Sequence, residues 1–439
     1  MRISSLAGAR IAVAAAFFAQ GFVFISLTTR LPRFLDRWGL DEVALSLLLL
    51  MMVLLAGVGS LVAERAAHRV GSAPMLRLGL GLMVVAVPAI TLAPAVGFFV
   101  GGVALYGIAL GLVDATSNMQ AVDLEHRYGR PILPSSHGYW TTGGIIAAAI
   151  ALATGHLSPA VGAFVAVVPA AIAFARFVPR VAAGADGAHG VDVAPGLVPT
   201  GSGTQSLNPV PAPDAAPIPW RPIWLVGAGL VVFYMVDTTA STWGPVYLAR
   251  SFDAPGNLVA LATFPYLVTS IIVRLAGGQL VTRFGVVPLL RIGSVVACGA
   301  LTLVALAPTW QVAVAGFTVL GAAVALVAPL SFSAAGRIAA GSAGSTGSAS
   351  AAGSASSAAD GGTAGAPADG PAPEPDRART DAVIARFNQF NYVGALLGAV
   401  LTGFVGADNL RLGFALPAVL VLALVPLAPA FARGALNRR

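Results

Sequence analysis

The chain has 439 residues, of which 57% are hydrophobic and only 10% are charged, with a mean hydropathy of +0.84. A soluble domain carries about 25% charged residues, so a water-solvated fold of this size is excluded and a bilayer is the fitting solvent. The net charge of +7 comes from 25 arginines and no lysine, scattered between apolar runs rather than gathered on one basic face, which argues against nucleic acid as a partner.

A helix needs about 20 apolar residues to cross the hydrocarbon core. The first such run, 11–29, follows Arg2 and Arg10 and has no small-x-small cleavage site after it, so it reads as an uncleaved first span. Gln20, Phe24 and Thr28 share one face of it, a candidate cavity wall. Further spans are predicted at 43–63, 75–94, 97–117, 136–155 and 159–178. Asp114, Ser117 and Asn118 form a polar face near the cytoplasmic end of the fourth, suited either to a gate pairing with a loop arginine or to a substrate or proton role. Residues 181–220, rich in Gly, Pro and Ala, then read as a flexible cytoplasmic linker.

The second set of spans is predicted at 223–249, 257–281, 288–307, 311–332, 382–405 and 412–432. Asp237 lies near the middle of the first of these. Tyr234, Asp237, Thr238 and Ser241 fall at i, i+3, i+4 and i+7, one helical face that cannot favour lipid. A carboxylate there either binds substrate or carries a proton, or makes a structural hydrogen bond to a neighbouring helix. Trp243 reads as an interface aromatic, and Arg274 as a snorkelling arginine or a cross-bundle partner of an acid such as Asp237. A Gly/Ser/Ala/Pro tract at 339–376 cannot bury enough apolar surface to order itself and reads as a disordered cytoplasmic loop. In the eleventh span Asn388, Asn391 and Tyr392 share a face, with amides fit to bind a polar ligand or to join helices, and Gly394 and Gly398 form a GxxxG packing motif.

Arginine placement sets the orientation. With the N-terminus cytoplasmic, 18 arginines fall on inside segments and 5 on outside segments, which favours a multi-pass protein with both termini in the cytoplasm. The five histidines make no HExxH pair, and neither a phosphate-binding P-loop nor a Gly-x-Ser-x-Gly elbow occurs. No enzymatic activity, metal or cofactor is therefore expected. Cys298 is the lone cysteine, so no intrachain disulfide forms.

The strongest signal is a duplication. RVGSAPMLRLG at 69–79 and RFGVVPLLRIG at 283–293 match at Arg69/Arg283, Gly71/Gly285, Pro74/Pro288, Leu76/Leu290, Arg77/Arg291 and Gly79/Gly293. The same offset pairs Gly102 with Gly316 and Gly107 with Gly321. Parallel repeats of six helices describe a transporter whose halves rock about a central site. The predicted architecture is all-α: twelve transmembrane helices in two six-helix bundles with pseudo-two-fold symmetry, 1–180 and 221–439.

The loops GSLVAERAAHRVG (Gly59 to Gly71) and GGQLVTRFG (Gly277 to Gly285) resemble the Gly-x-Leu-x-Asp-Arg-x-Gly-Arg motif of the major facilitator superfamily. That resemblance implies a conformational latch carried here by Glu64, Arg65, Arg69 and Arg283. The acid is displaced relative to the motif and missing from the second copy, which leaves the partner of Glu64, Arg65 or Arg69, open. The run from Asn118 to Trp140 resembles a bacterial subgroup of that superfamily related to sugar permeases, on Asn118, Gln120, Gly129, Arg130, Pro131, Ile132, His137, Gly138 and Trp140. The resemblance implies a monomeric secondary transporter of the bacterial inner membrane that moves a small molecule by alternating access, and a proton is the expected coupling partner because Asp237 is available and no sodium cage is evident. Export of a small organic compound and uptake of a sugar or other polar nutrient both remain open, as does a non-transporting membrane sensor or scaffold on the same fold.

Overall fold

The computed structural model describes residues 3–128, 132–178, 219–338, 387 and 389–432. The predicted linker and low-complexity loop fall almost wholly outside these residues, as do Gly129 to Pro131 and the side chain of Asn388.

No strand occurs among the described residues. The first half contains α1 (Ile3–Thr28), a short α2 (Leu31–Trp38), α3 (Glu42–Val70), α4 (Ser72–Thr91), α5 (Val96–Tyr128), α6 (Leu133–Thr154), a 3-10 stretch (Pro159–Ala166) and α7 (Val167–Ala173). The second contains α8 (Trp220–Thr238), a π turn (Thr239–Trp243), α9 (Gly244–Phe252), α10 (Phe264–Phe284), α11 (Val286–Ala305), α12 (Trp310–Val324), α13 (327–338), α14 (Gln389–Val405), α15 (Leu410–Leu420) and α16 (Leu424–Ala432). Nine helical stretches among the described residues are long and apolar enough to cross a membrane. With α6 (22 residues) and the shorter apolar helices Ala160–Ala173 and Gln389–Val405 the crossings come to twelve, the predicted number. The chain is thus a multi-pass membrane protein.

Lipid-type packing explains the arrangement. Large apolar side chains such as Leu54, Leu275, Ile292 and Phe404 point outward and stay exposed, while small residues bring helix backbones together. At Gly111 an added Cβ would overlap the Ala56 carbonyl of α3, and at Gly398 it would overlap the Met235 carbonyl of α8. The predicted packing role of the Gly394/Gly398 pair is thus the observed one.

Within the first half α3 and α4 pack on α5, and α1 on α6; within the second α8 packs on α14, α11 on α12 and α15. The halves meet where α3 faces α14 and α6 faces α10. The duplication is visible in the backbone. Gly71 and Gly285 end α3 and α10 with φ/ψ of 94°/159° and 78°/163°, the same left-handed-side conformation that glycine adopts without a Cβ penalty. Gly107 and Gly321 likewise pack on equivalent helices, against Met52 and Tyr266.

Two ends follow. At the short-loop end, Arg37 donates to the carbonyls of Thr91 (3.3 Å) and Ala93 (2.7 Å), and Arg33 to Leu157 (2.8 Å). There the halves touch: Arg250 reaches the Leu40 carbonyl (3.3 Å) and the Asp36 carboxylate (3.4 Å). The opposite end carries most of the arginines.

Two sequence expectations change. The fourth span does not stop at 117: α5 runs to Tyr128, because Gln120 satisfies its amide on Ser72 Oγ (2.7 Å) and the backbone of Val178, and Asp123 pairs with Arg127 (3.1 Å). Asp114 therefore sits at mid-helix and not near a cytoplasmic end. Trp243 is not an interface aromatic: it is fully buried and its indole N–H donates to the Ala399 carbonyl (2.9 Å). The i→i+5 bonding of the π turn adds a residue to the helical turn. Ser241 lies in this turn, and its hydroxyl donates to the Asp237 carbonyl (2.7 Å).

Candidate functional site: a polar seam between the bundles

Intramembrane carboxylates are costly and mark sites only when partners face them. Asp114, from α5 of the first half, accepts Gln20 Nε2 of α1 (3.1 Å) at one oxygen. Its other oxygen accepts the Tyr392 hydroxyl of α14 (2.6 Å), which belongs to the second half. Ser60 of α3 lies beside the same hydroxyl. This hydrogen bond spans the two bundles.

Asp237, from α8 of the second half, accepts the Tyr266 hydroxyl of α10 (2.6 Å). Tyr234, one turn before it, lies within electrostatic reach of Asp237, Asp114 and Arg274 and so connects the two clusters. Arg274 does not snorkel. Its Nε donates to the Ala325 carbonyl (3.1 Å), and one terminal nitrogen crosses to Thr141 Oγ1 on α6 of the first half (3.1 Å). His137, one turn before Thr141, is wedged between the rings of Phe17 (5.2 Å) and Phe332 (6.0 Å).

Of the residues singled out from sequence, Gln20, Asp114, Tyr234 and Asp237 come together in this seam. Thr238 is buried beside it, and its neighbour Thr239 shares a hydrogen bond with Thr402 of α14 (2.8 Å). Asn118 donates to the Asp114 carbonyl of its own helix (2.9 Å) and Ser117 does the same (3.1 Å), so both turn back on α5. Asn391 precedes Tyr392 on α14 and is half-buried. Glu64, Arg65, Arg69 and Arg283 stand exposed at the arginine-rich end, where Arg65 donates to the Leu61 carbonyl (3.3 Å) and Arg283 lies over the Phe284 ring (5.3 Å).

The sequence reading missed Tyr266 and Thr141. Tyr266, Ser270 and Arg274 repeat at i, i+4 and i+8, and Ser270 is buried, so a polar stripe on α10 was available as a signal. Thr141 offered none, since a Thr-Thr pair in an Ala/Gly-rich helix is unremarkable.

At the short-loop end a small void lies between the halves, lined by Thr29, Arg30 and Arg33 from the first and Gly256, Val259 and Ala260 from the second. Burial, and then the nearby Arg33, lower the Arg30 guanidinium from its ordinary pKa.

No family model matches the chain. An uncharacterized transporter of Sinorhizobium fredii, y4wD, is 26% identical over 323 residues, which cover 74% of this chain and 81% of its own. An uncharacterized MFS-type transporter of Yersinia pestis is 22% identical over 330 residues, covering 73% and 78%. Among solved structures, a bacterial homolog of the human lysosomal transporter Spinster, inward-facing and unoccupied, has a TM-score of 0.63 at 12% identity, covering 100% of this chain and 99% of its own. The nucleoside transporter NupG has a TM-score of 0.58 at 13% identity, covering 98% and 99%. The E. coli fucose:proton symporter FucP has 0.54 at 14% identity, covering 97% and 98%.

Proposed function

Since the chain is a transporter of the major facilitator type, by its fold and by its relatives, we propose that it is a proton-coupled secondary transporter of a small polar organic compound. It works by alternating access at the seam between residues 1–180 and 221–439. The observation that carries this reading is the pair of carboxylates, one per bundle, each held by a tyrosine hydroxyl, with Asp114 held from the opposite half. Such a bond forms and breaks as bundles rock, so its occupancy reports the conformational state. Asp237 carries the proton in this scheme, because its partner Tyr266 belongs to its own half and stays beside it through the motion. A fucose:proton symporter on the same fold shows that the architecture accommodates such coupling.

The latch proposed from the loop motif, Glu64 and Arg65 or Arg69 with Arg283, would close the arginine-rich end when the short-loop end opens. The inner bacterial membrane, cytoplasmic termini and a monomeric state belong to the same proposal. The polar seam, with Gln20 and three tyrosines beside its acids, favours a polar solute. The net direction, export or uptake, follows from the gradients and not from the site.

The test is reconstitution with a pH-sensitive dye inside the vesicles. Addition of a transported solute is expected to drive a proton flux that needs the protein; solute counterflow without any proton movement contradicts the coupling. Tyr392→Phe removes one hydrogen bond to a charged group, worth about 1.5–3 kcal/mol. Because the bond lies on the arginine-rich side of the seam, its loss is expected to lower the short-loop-open population roughly tenfold, read as slower alkylation of Gly256→Cys in a Cys298→Ser background. Unchanged alkylation contradicts the inter-bundle role of Asp114.

A further inference from the structure

The scheme above uses the two carboxylates and leaves Arg274 without a task. A cation at mid-membrane costs several times what a topogenic arginine does at a helix end, and Arg274 is at the middle of α10. Both acceptors it has found, the Ala325 carbonyl and the Thr141 hydroxyl, are neutral. Among the described residues no carboxylate lies within ion-pair distance of it. A guanidinium has five donors in a planar fork shaped for an oxyanion, and two of the five are accounted for.

The same pattern recurs at the short-loop end of the seam. Arg30 donates to the Ser26 carbonyl (2.7 Å) and Arg33 to the Leu157 carbonyl (2.8 Å), again neutral acceptors. Asp36, a nearby acid, is engaged by Arg250. Arg33 also lies against Gly256 of the opposite half, so it stands in the closed junction itself. Positive charge on this side runs against the topogenic bias that places arginines at the other end. Three arginines thus stand on the interface between the bundles, none within ion-pair distance of a carboxylate among the described residues, and place positive charge along it.

We propose that the compound moved along the seam is a small organic anion, whose oxyanion group is bound by Arg274 and Thr141 after passing Arg30 and Arg33. The proposal rests on the transporter reading and names its substrate class. The charge balance also gives a coupling rule. Asp237 is in electrostatic contact with Arg274, and the other groups around the pair are Tyr234 and Tyr266, with His137 near Arg274 and Asp114 beyond Tyr234. While Asp237 is ionised it offsets the guanidinium. When a proton occupies Asp237, Arg274 is uncompensated and takes the anion. Proton and anion then occupy the seam together, and the loaded site carries the same net charge as the empty one.

The experiment measures the Tm of the purified protein with matched probes. Glucose, glucuronate and glucose 6-phosphate share a polar scaffold; benzamide and benzoate share an apolar one. At least one carboxylate or phosphate is expected to raise Tm by several degrees above its neutral partner, more at acidic than at neutral pH. Glucuronate or benzoate as the stabiliser identifies a carboxylate, glucose 6-phosphate a phosphate. Arg274→Gln is expected to abolish the difference, and Arg274→Lys, which keeps the charge without the fork, to retain part of it. A neutral compound that stabilises as well as its anion, no anion exceeding its partner, or a difference that survives Arg274→Gln overturns the proposal. Counterflow of a neutral solute in proteoliposomes under those outcomes would leave the transporter reading standing, so the two failures are distinguishable.

Discussion

Asp237→Asn is expected to abolish proton-driven accumulation while leaving downhill exchange of the solute intact. A pH difference of about two units stores roughly 2.7 kcal/mol per proton, which supports about a hundredfold accumulation when one proton accompanies one solute. Without a titratable group at Asp237, accumulation is expected to fall to the equilibration value, a loss of up to about a hundredfold. The asparagine keeps an oxygen that accepts the Tyr266 hydroxyl (2.6 Å in the parent), so α8 and α10 remain joined and solute counterflow continues. Accumulation in proteoliposomes under an imposed pH gradient, alongside counterflow without one, separates coupling from binding. Full gradient-driven accumulation in the variant would remove Asp237 from the proton route.

The second large effect concerns packing. At Gly111 the atoms nearest an added Cβ are the Ala56 carbonyl and the Ser60 amide, both backbone of α3. Neither can rotate aside, so α3 and α5 must separate. Overpacking of this kind costs about 1–3 kcal/mol or more, and Gly111→Val is expected to lower Tm by roughly 5–10 °C. The same displacement would move Ser60 away from Tyr392 and pull Asp114 out of the seam, so transport falls with stability. Gly81→Ala is the control, because nothing lies within 4 Å of its added Cβ. It is expected to leave Tm within about a degree or raise it slightly, through the lower entropy of the unfolded chain. Equal losses in the two variants would contradict the close approach of α3 and α5.

Much of this was legible because membranes make residues expensive. Asp114 and Asp237 stood out in the sequence for that reason alone, and Gln20 and Tyr234 followed from helical spacing. The Gly71/Gly285 pair revealed the two-half architecture, since a turn that needs positive φ in both copies keeps glycine in both. The depth of Asp114 was not legible, because Gln120 and Asp123 look like the end of a span until Ser72, Val178 and Arg127 are seen to satisfy them. The roles of Tyr266 and Trp243 were not legible either: a hydroxyl or indole N–H shows its purpose only once a partner on another helix is in place. The π turn at Thr239–Trp243 was not legible, because reading local spacing assumes 3.6 residues per turn.

The central claim is that two bundles rock about one polar seam, and it is tested most directly by two distances measured in the same protein. In a Cys298→Ser background, one spin-label pair at Asp41→Cys and Asp253→Cys spans the short-loop end, and another at Val70→Cys and Thr282→Cys spans the arginine-rich end. On acidification or on addition of a transported solute, the two distance distributions are expected to shift in opposite directions, one lengthening as the other shortens. Two distributions that stay fixed, or that lengthen together, would contradict alternating access.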